Sequence, residues 1–386
     1  MLSFELGDAW ERIGEHPGYD RATILLRWHS IPVASLNLKL EAGRVNLAEL
    51  EEKAGEVAWE AIACEPAQPQ GRFAPSAQAA TVIVCTRERP DDLHRCLTAL
   101  LAMPDDGQRI LVVDNNPRTT LTRDLVSQFP SVVYLREDQP GANSARNCGI
   151  LAAETDLVAF MDDDAVADPH WLRAILSPFA DPQVQCATGL TMPLELESEA
   201  QEFFERATGF SRRGFKRREF QSPATDPLVV GAVGASVNMA LRRSIIDRVG
   251  LMDPALGPGT PSMSGDDHEY FTRILRAGFR IVYEPAALNW HRHRRTWPEL
   301  RHVMFAYGVG AYASWTRSLL FEREWLVLLR MFGWFRHDQA PAIFRSLRRT
   351  PGAMPLDLLL AELVGCWAGP GRYLKARRRF RKYQDA

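Results

Sequence analysis

Between Ala80 and Asp164 the chain carries four apolar runs, TVIVCT, RILVVDNN, SVVYLRE and DLVAFMDDD, separated by stretches of helical spacing. A run that is apolar at consecutive positions does not suit a strand with one wet face. It suits a strand covered on both sides, as in a parallel sheet. Between the runs, RPDDLHRCLTALLAMP sets Leu93, Leu97, Leu100 and Leu101 on one helical face, TLTRDLVSQF reads as a second helix, and GANSARNCGILAAE as a helix opened by glycine. This β-α-β-α order predicts an α/β fold with a doubly wound parallel sheet, whose ligand groups gather beyond the strand carboxyl ends. Thr86, Asp114 and the triplet Asp162-Asp163-Asp164 all fall at such an end.

The flanks differ in composition. Residues 1–64 hold two β-like runs, ATILLRWHS and VASLNLKL, then a helix from NLAELEEKAGEVAWEAI with Asn46 and Glu49 spaced as a capping box. They read as a small α+β unit without a catalytic constellation. Residues 65–79, rich in Pro, Ala and Gln, read as a linker. Residues 80–297 form the main α/β domain and residues 298–386 a helical extension ending in a basic cluster. A length of 386 residues accommodates such a division.

Bulk properties exclude several classes. The net charge of −2 offers no electrostatic footprint for nucleic acid. Six scattered cysteines without a CxxC pair suit a reducing compartment and argue against structural zinc. The first residues lack the basic and apolar regions of a signal peptide, and no stretch reaches the roughly 18 apolar residues of a membrane span. A cytoplasmic protein is expected.

Three adjacent carboxylates repel one another unless a cation holds them. The triplet reads either as a solvated turn, which Asp favours, or as a hard-cation site where carboxylate oxygens hold Mg2+ or Mn2+ against phosphates. Its position after the fourth strand favours the second.

Taken in order, TVIVCTRERPDDLHRCLTAL, ILVVDNN, GANSARNCGILAAETDLVAFMDDDAVADPHWL, GASVNMALRR and GDDHEYFTRILRAGFRIVYEPAALNWH resemble the family 2 glycosyltransferases of GT-A fold. The resemblance spans about Ala80 to His291. It implies a Rossmann-like, mostly parallel sheet and an inverting, non-processive transfer of a sugar from a nucleoside diphosphate donor to a saccharide or lipid-linked acceptor. Mn2+ or Mg2+ would be the cofactor.

Laid onto this chain, the resemblance puts Thr86, Arg87, Asp114, Asn143 and Arg146 in the nucleotide pocket, with Asp114 accepting from the base imide. Gly141 would let backbone approach, and the helix it opens would aim N–H groups at phosphates. The triplet supplies a DXD-type motif. Residues two apart on an extended chain share a side, so Asp162 meets the ribose or metal, Asp164 ligates metal, and Asp163 points away or reaches a supporting group; Asp163 with Asp164 as the working pair is the alternative. Asp267 is the expected general base, with Asp266 beside it, and His291 reaches the metal or the diphosphate, with His293 competing for that role.

Each assignment has a plainer counterpart. Arg146 could pair with Glu137 or Glu154, Asp114 could cap a strand, and acids suit the start of any helix. Arg292, Arg294 and Arg295 could meet the leaving diphosphate or form a solvated face. The basic, aromatic stretch FFERATGFSRRGFKRREFQSP could be a mobile loop or a surface helix and turn. The absence of QxxRW and of membrane spans disfavours a processive synthase. A nucleotidyltransferase usually places a GxGxR-type loop where TRERP stands, and a catalytically silent nucleotide-sugar-binding protein would lose the base or a metal ligand. In the extension, Trp325, Leu328, Phe332 and Phe335 fall near one helical face. That face and the basic cluster fit either peripheral contact with an anionic membrane or a helical cap with a solvated tail.

Overall fold

The structure, a computed structural model, describes residues 1–6, 8, 13–63, 73–76 and 78–384. Cys64 and most of the expected linker lie outside the described residues. Strands β1 (Leu2–Glu5), β2 (Arg21–Trp28), β3 (Ile31–Glu41) and β4 (Arg44–Val45) form a small sheet in that order. Helix α1 (Leu47–Ala63) follows. The backbone N–H of Glu49 donates to Asn46 Oδ1 at 3.2 Å, while the Glu49 carboxylate takes Lys53 Nζ at 2.6 Å. The amino-terminal cap is therefore present, and the glutamate serves an i,i+4 ion pair.

The larger sheet contains all four expected parallel-type runs: β5 (Ala80–Thr86), β6 (Arg109–Asn115), β7 (Val132–Glu137) and β8 (Leu157–Asp162). β9 (Ala165–Ala167), β10 (Val184–Pro193), β11 (Arg218–Phe220), β12 (Asn238–Arg242) and β13 (Arg280–His291) complete it. The order is β11-β13-β10-β12-β8-β5-β6-β7, with β9 on β13. Strands β8, β5, β6 and β7 run parallel, as do β10 and β13, but β12 lies antiparallel between β8 and β10. The sheet is mostly rather than wholly parallel.

Alternation along β5 shows why both faces are apolar. Val82 and Val84 pack with α2 (Pro90–Leu101) and α5 (Trp171–Leu176), whereas Ile83 packs with α4 (Ala142–Ala152) and α8 (Asp266–Arg276). On α2 the buried set is Leu93, Cys96, Leu97 and Leu100; Leu101 turns outward. Strand β13 runs through Pro285 to His291, with a register shift opposite Gly189 and Leu190.

The small sheet packs against the larger one. Leu25 joins Leu190, Met192, Tyr283 and Leu288 in one apolar cluster, and Arg27 pairs with Asp168 at 2.7 Å while lying over the Trp290 ring. The stretch 203–223, read as either a mobile loop or a surface helix and turn, takes the second form: it runs through α6 (Glu199–Thr208), a 3-10 turn (Phe210–Arg213) and β11.

Beyond α3 (Leu121–Val126) and α7 (Ile246–Val249), the remaining helices are α9 (Trp297–Phe321), α10 (Leu326–Trp334), α11 (Ala340–Leu347) and α12 (Leu356–Gln384), with a π turn at Phe335–Gln339. α9 and α12 meet through Gly308, Gly365 and Gly369, where any side chain would collide with the opposing backbone. Gly310 of α9 stands against Gly265, the residue before α8. The helical extension thus supports the GDD segment directly. Among the described residues no helix is long and apolar enough to cross a membrane.

Candidate active site

The triplet sits where β8 ends and turns into β9. Pairing of β9 with β13 sets Ala165 opposite His291, and the Arg292 N–H donates to the Asp164 carbonyl. This register brings the imidazole to the carboxylates. His291 Nε2 lies 3.0 Å from Asp164 Oδ1, and ligand atoms of Asp162, Asp164 and His291 all fall within 4.8 Å of one another. His291, not His293, takes this place: His293 is buried against Glu205 at 2.7 Å.

Asp163 turns the other way. Its Oδ2 accepts from Thr86 Oγ1 at 2.7 Å and its Oδ1 from Arg89 Nη1 at 3.2 Å, which locks the end of β5 to the end of β8. Arg89 also reaches Asp164 Oδ2 at 3.1 Å, and Arg294 lies 4.0 Å from the same oxygen. Burial, then the neighbouring Asp164 charge, pushes the Asp163 carboxyl up to about 7. Burial also opposes charge on Asp164, yet His291, Arg89 and Arg294 hold it well below the usual carboxylate range. One carboxylate of the triplet is thus held firmly ionised and its neighbour is not, as expected where like charges crowd.

Two carboxylates and one imidazole converging this closely fit a divalent cation. Carboxylates suit hard divalent cations such as Mg2+ and Mn2+. The arginines approach Asp164 through Oδ2, on the opposite oxygen from His291.

At the second strand, Asp114 is fully buried. Its Oδ2 accepts from Tyr134 at 2.9 Å, while Oδ1 is buried and meets no donor within hydrogen-bonding geometry among the described residues, the Thr122 hydroxyl being the nearby group. Burial raises its pKa, with the Tyr134 and Thr122 hydroxyls opposing. A buried unfilled acceptor costs free energy unless a ligand donor completes it. Arg87 lies half-buried on the turn after Thr86.

At α4 the Gly141 N–H donates to Asn115 Oδ1 at 2.8 Å and the Ala142 N–H to the Pro258 carbonyl at 2.9 Å, so these two donors are held inside the protein. Asn143 is likewise committed, donating to the Asp253 carbonyl and accepting from Arg146. Gly141 has φ 131°, and a Cβ there would press on Thr260, so glycine serves the packing of segment 253–260.

Arg146 pairs with neither Glu137 nor Glu154. It is buried, 2.5 Å from Asp266 and 3.8 Å from Asp162. Burial works against its charge, but Asp266 and Asp162 keep the guanidinium protonated. Asp266 is therefore an anchor. Asp267, one residue on, is half-exposed and accepts from the N–H groups of His268 and Ser236.

Asp267 lines a cavity of about 810 Å3 that also meets Phe210, Arg213, Gly231, Tyr307 and Trp334. The triplet is not among its lining residues. Phe210 joins the two: its ring stands edge-on to His291 at 5.6 Å and also lines the cavity. Arg213 is half-buried with its guanidinium on the carbonyls of Gly231 and Gly234. Of the three arginines after His291, Arg292 pairs with Asp92 and Arg295 with Glu195 and Glu197, leaving Arg294 facing the triplet.

Residues 77–309 match the family described as glycosyltransferase like family 2. The chain belongs to that family. The pre-mycofactocin glycosyltransferase of Mycobacterium tuberculosis is 29% identical over 248 residues, 64% of this chain and 49% of that protein. The chain thus spans about half the length of that relative. Glycosyltransferase AglE of Haloferax volcanii is 22% identical over 298 residues, 74% of this chain and 91% of that protein. A mannosyltransferase from Pyrobaculum calidifontis, solved with GDP-mannose and Mn2+, aligns over 88% of this chain and 85% of its own at TM-score 0.48 and 17% identity. The mostly parallel, helix-flanked sheet described above is the α/β architecture expected of family 2.

Arg89, Tyr134 and Arg213 escaped the sequence reading. Arg89 had a visible signal, since TRERP puts it one residue before the helix and in line with Thr86. Nothing local marks Tyr134, which reaches Asp114 only because β6 and β7 are paired.

Proposed function

We propose that this family 2 member is an inverting glycosyltransferase, moving a sugar from a nucleoside diphosphate donor to an acceptor hydroxyl with Asp267 as general base. The observation that carries the reading is the Arg146 bridge, which ties Asp162 on the cation-binding side to Asp266 beside the base. Asp114 Oδ1 takes a donor N–H from the base, and Thr86 and Arg87 border the same pocket. Asp162, Asp164 and His291 would hold Mn2+ or Mg2+, which when bound offsets charge on the diphosphate. Arg89 and Arg294 add positive charge where the leaving group departs.

The acceptor lies in the cavity against Asp267. Its oxygen attacks the anomeric carbon, its proton passes to the Asp267 carboxylate, and the bond from that carbon to the diphosphate oxygen breaks with the electron pair leaving on the diphosphate. Attack from the face opposite the leaving group inverts the anomeric centre. Gly231, with open space where a Cβ would be, leaves room for the acceptor beside backbone.

Incubation with a panel of nucleoside diphosphate sugars and Mn2+ tests the reading. Release of nucleoside diphosphate that disappears in Asp164→Asn and Asp267→Asn supports it. Pyrophosphate release would point to nucleotidyl transfer, and tight donor binding without turnover to a silent binding protein.

A further inference from the structure

The arm from Trp325 to Thr350, made of α10, the π turn and α11, contains apolar side chains that no core absorbs. Trp325 is 68% exposed, Phe332 64% and Leu347 63%, with Leu326, Phe335 and Phe344 exposed beside them. Within α10 only Val327 is buried, and α11 has no buried residue. So many exposed large apolar side chains on one short arm point to an interaction site.

Charge selects the occupant. The arm holds five arginines (Arg330, Arg336, Arg345, Arg348 and Arg349) against one acid, Asp338, in a chain whose net charge is −2. Arg330 is neutralised by Asp226, while Arg336, Arg345, Arg348 and Arg349 are exposed. No helix among the described residues is long and apolar enough to cross a bilayer, but aromatic and leucine side chains among arginines suit its interface.

The arm is also fixed relative to the cavity. Tyr312 of α9 donates to the Met331 carbonyl at 3.4 Å and packs on Trp334, and Gln339 donates to Glu362 of α12 at 2.7 Å. Leu329, 68% exposed on the arm, lines the same cavity as Asp267, as do Gly333 and Trp334. We propose that the arm is a docking surface for an anionic lipid bilayer, which seats the cavity in front of Asp267 at the headgroup layer. An acceptor hydroxyl carried on a lipid enters there. That consequence rests on the glycosyl-transfer reading; the docking does not.

Flotation of the full chain tests docking, using vesicles of phosphatidylcholine alone and of phosphatidylcholine with phosphatidylglycerol. The expected result is co-flotation with the anionic vesicles, weakened by salt. Arg345→Gln, Arg348→Gln and Arg349→Gln combined should lower partitioning at least about tenfold, and Trp325→Glu with Phe332→Glu and Leu347→Glu should do the same. None of these residues lines the cavity, so diphosphate release in solution stays at the wild-type rate. Absent flotation, equal binding to neutral and anionic vesicles, or unchanged partitioning of the variants would overturn the docking. So would a concentration-dependent dimer lost in the same variants, which would assign the surface to a second copy. Vesicle binding without turnover on any donor would instead overturn the glycosyl-transfer reading and leave docking in place.

Discussion

Arg146 Nη1 lies 2.5 Å from Asp266 Oδ2, and both groups are buried. The same guanidinium approaches Asp162 at 3.8 Å, so one side chain of α4 joins the end of β8 to the start of α8. Removing one partner of a buried pair leaves the other charge without compensation, at a cost of about 3–5 kcal/mol. Arg146→Ala should therefore lower the melting temperature sharply. Asp266→Asn, which keeps a hydrogen-bond acceptor for Arg146, should lower it less. Calorimetric or fluorescence melting of the two variants checks the order.

The position of Asp267 depends on Gly265, which has φ 85° and faces the Gly310 carbonyl of α9 so closely that a Cβ would collide with it. Gly265→Ala incurs backbone strain of about 1–3 kcal/mol and must also displace α9 or the GDD turn. Gly278, at φ 82° with open space around it, incurs the strain alone. Gly265→Ala should lose both stability and turnover, while Gly278→Ala loses stability only; melting and steady-state rates separate them.

Cation binding should follow the converging set. Outer partners of metal ligands typically account for about 10–100-fold in affinity, so loss of a ligand itself, in Asp164→Asn or His291→Ala, should cost at least about tenfold. His293→Ala should leave it unchanged, because that ring belongs to Glu205. Electron paramagnetic resonance of free Mn2+ during titration reads the difference.

Asp114 should impose opposite pH slopes on stability and on donor affinity. Burial raises its folded pKa above the unfolded value, so the native state binds the extra proton. Its contribution to stability therefore falls as pH rises from the ordinary carboxylate range through the raised value. Donor affinity rises over the same interval, since the base needs an ionised acceptor. Asp114→Asn should remove both slopes, measured by melting and by calorimetric titration with nucleoside diphosphates.

Much of this was legible in local sequence. β5, β6, β7 and β8 announce themselves because burial on both faces leaves unbroken apolar runs, and strand ends in such a sheet place Thr86, Asp114 and the triplet together. The division within the triplet followed from side-chain alternation: Asp162 and Asp164 face His291 while Asp163 turns to Thr86. What stayed hidden depends on distant partners. Nothing in NMALR indicates that β12 runs antiparallel between β8 and β10. The commitment of Asn143 to Asp253 spans 110 positions, and the contact of Gly265 with Gly310 needs the α9–α12 packing. Arg146 was singled out, but its partners lie across the sheet rather than along its own helix.

Asp267→Asn separates proton removal, assigned to Asp267, from cation binding, assigned to Asp162, Asp164 and His291. Turnover of the donor by this variant should fall by about 10²–10⁴-fold, the usual worth of a positioned base, with affinities for Mn2+ and for nucleoside diphosphate unchanged. An Asp267→Asn protein that transfers sugar at the wild-type rate would rule out Asp267 as the base.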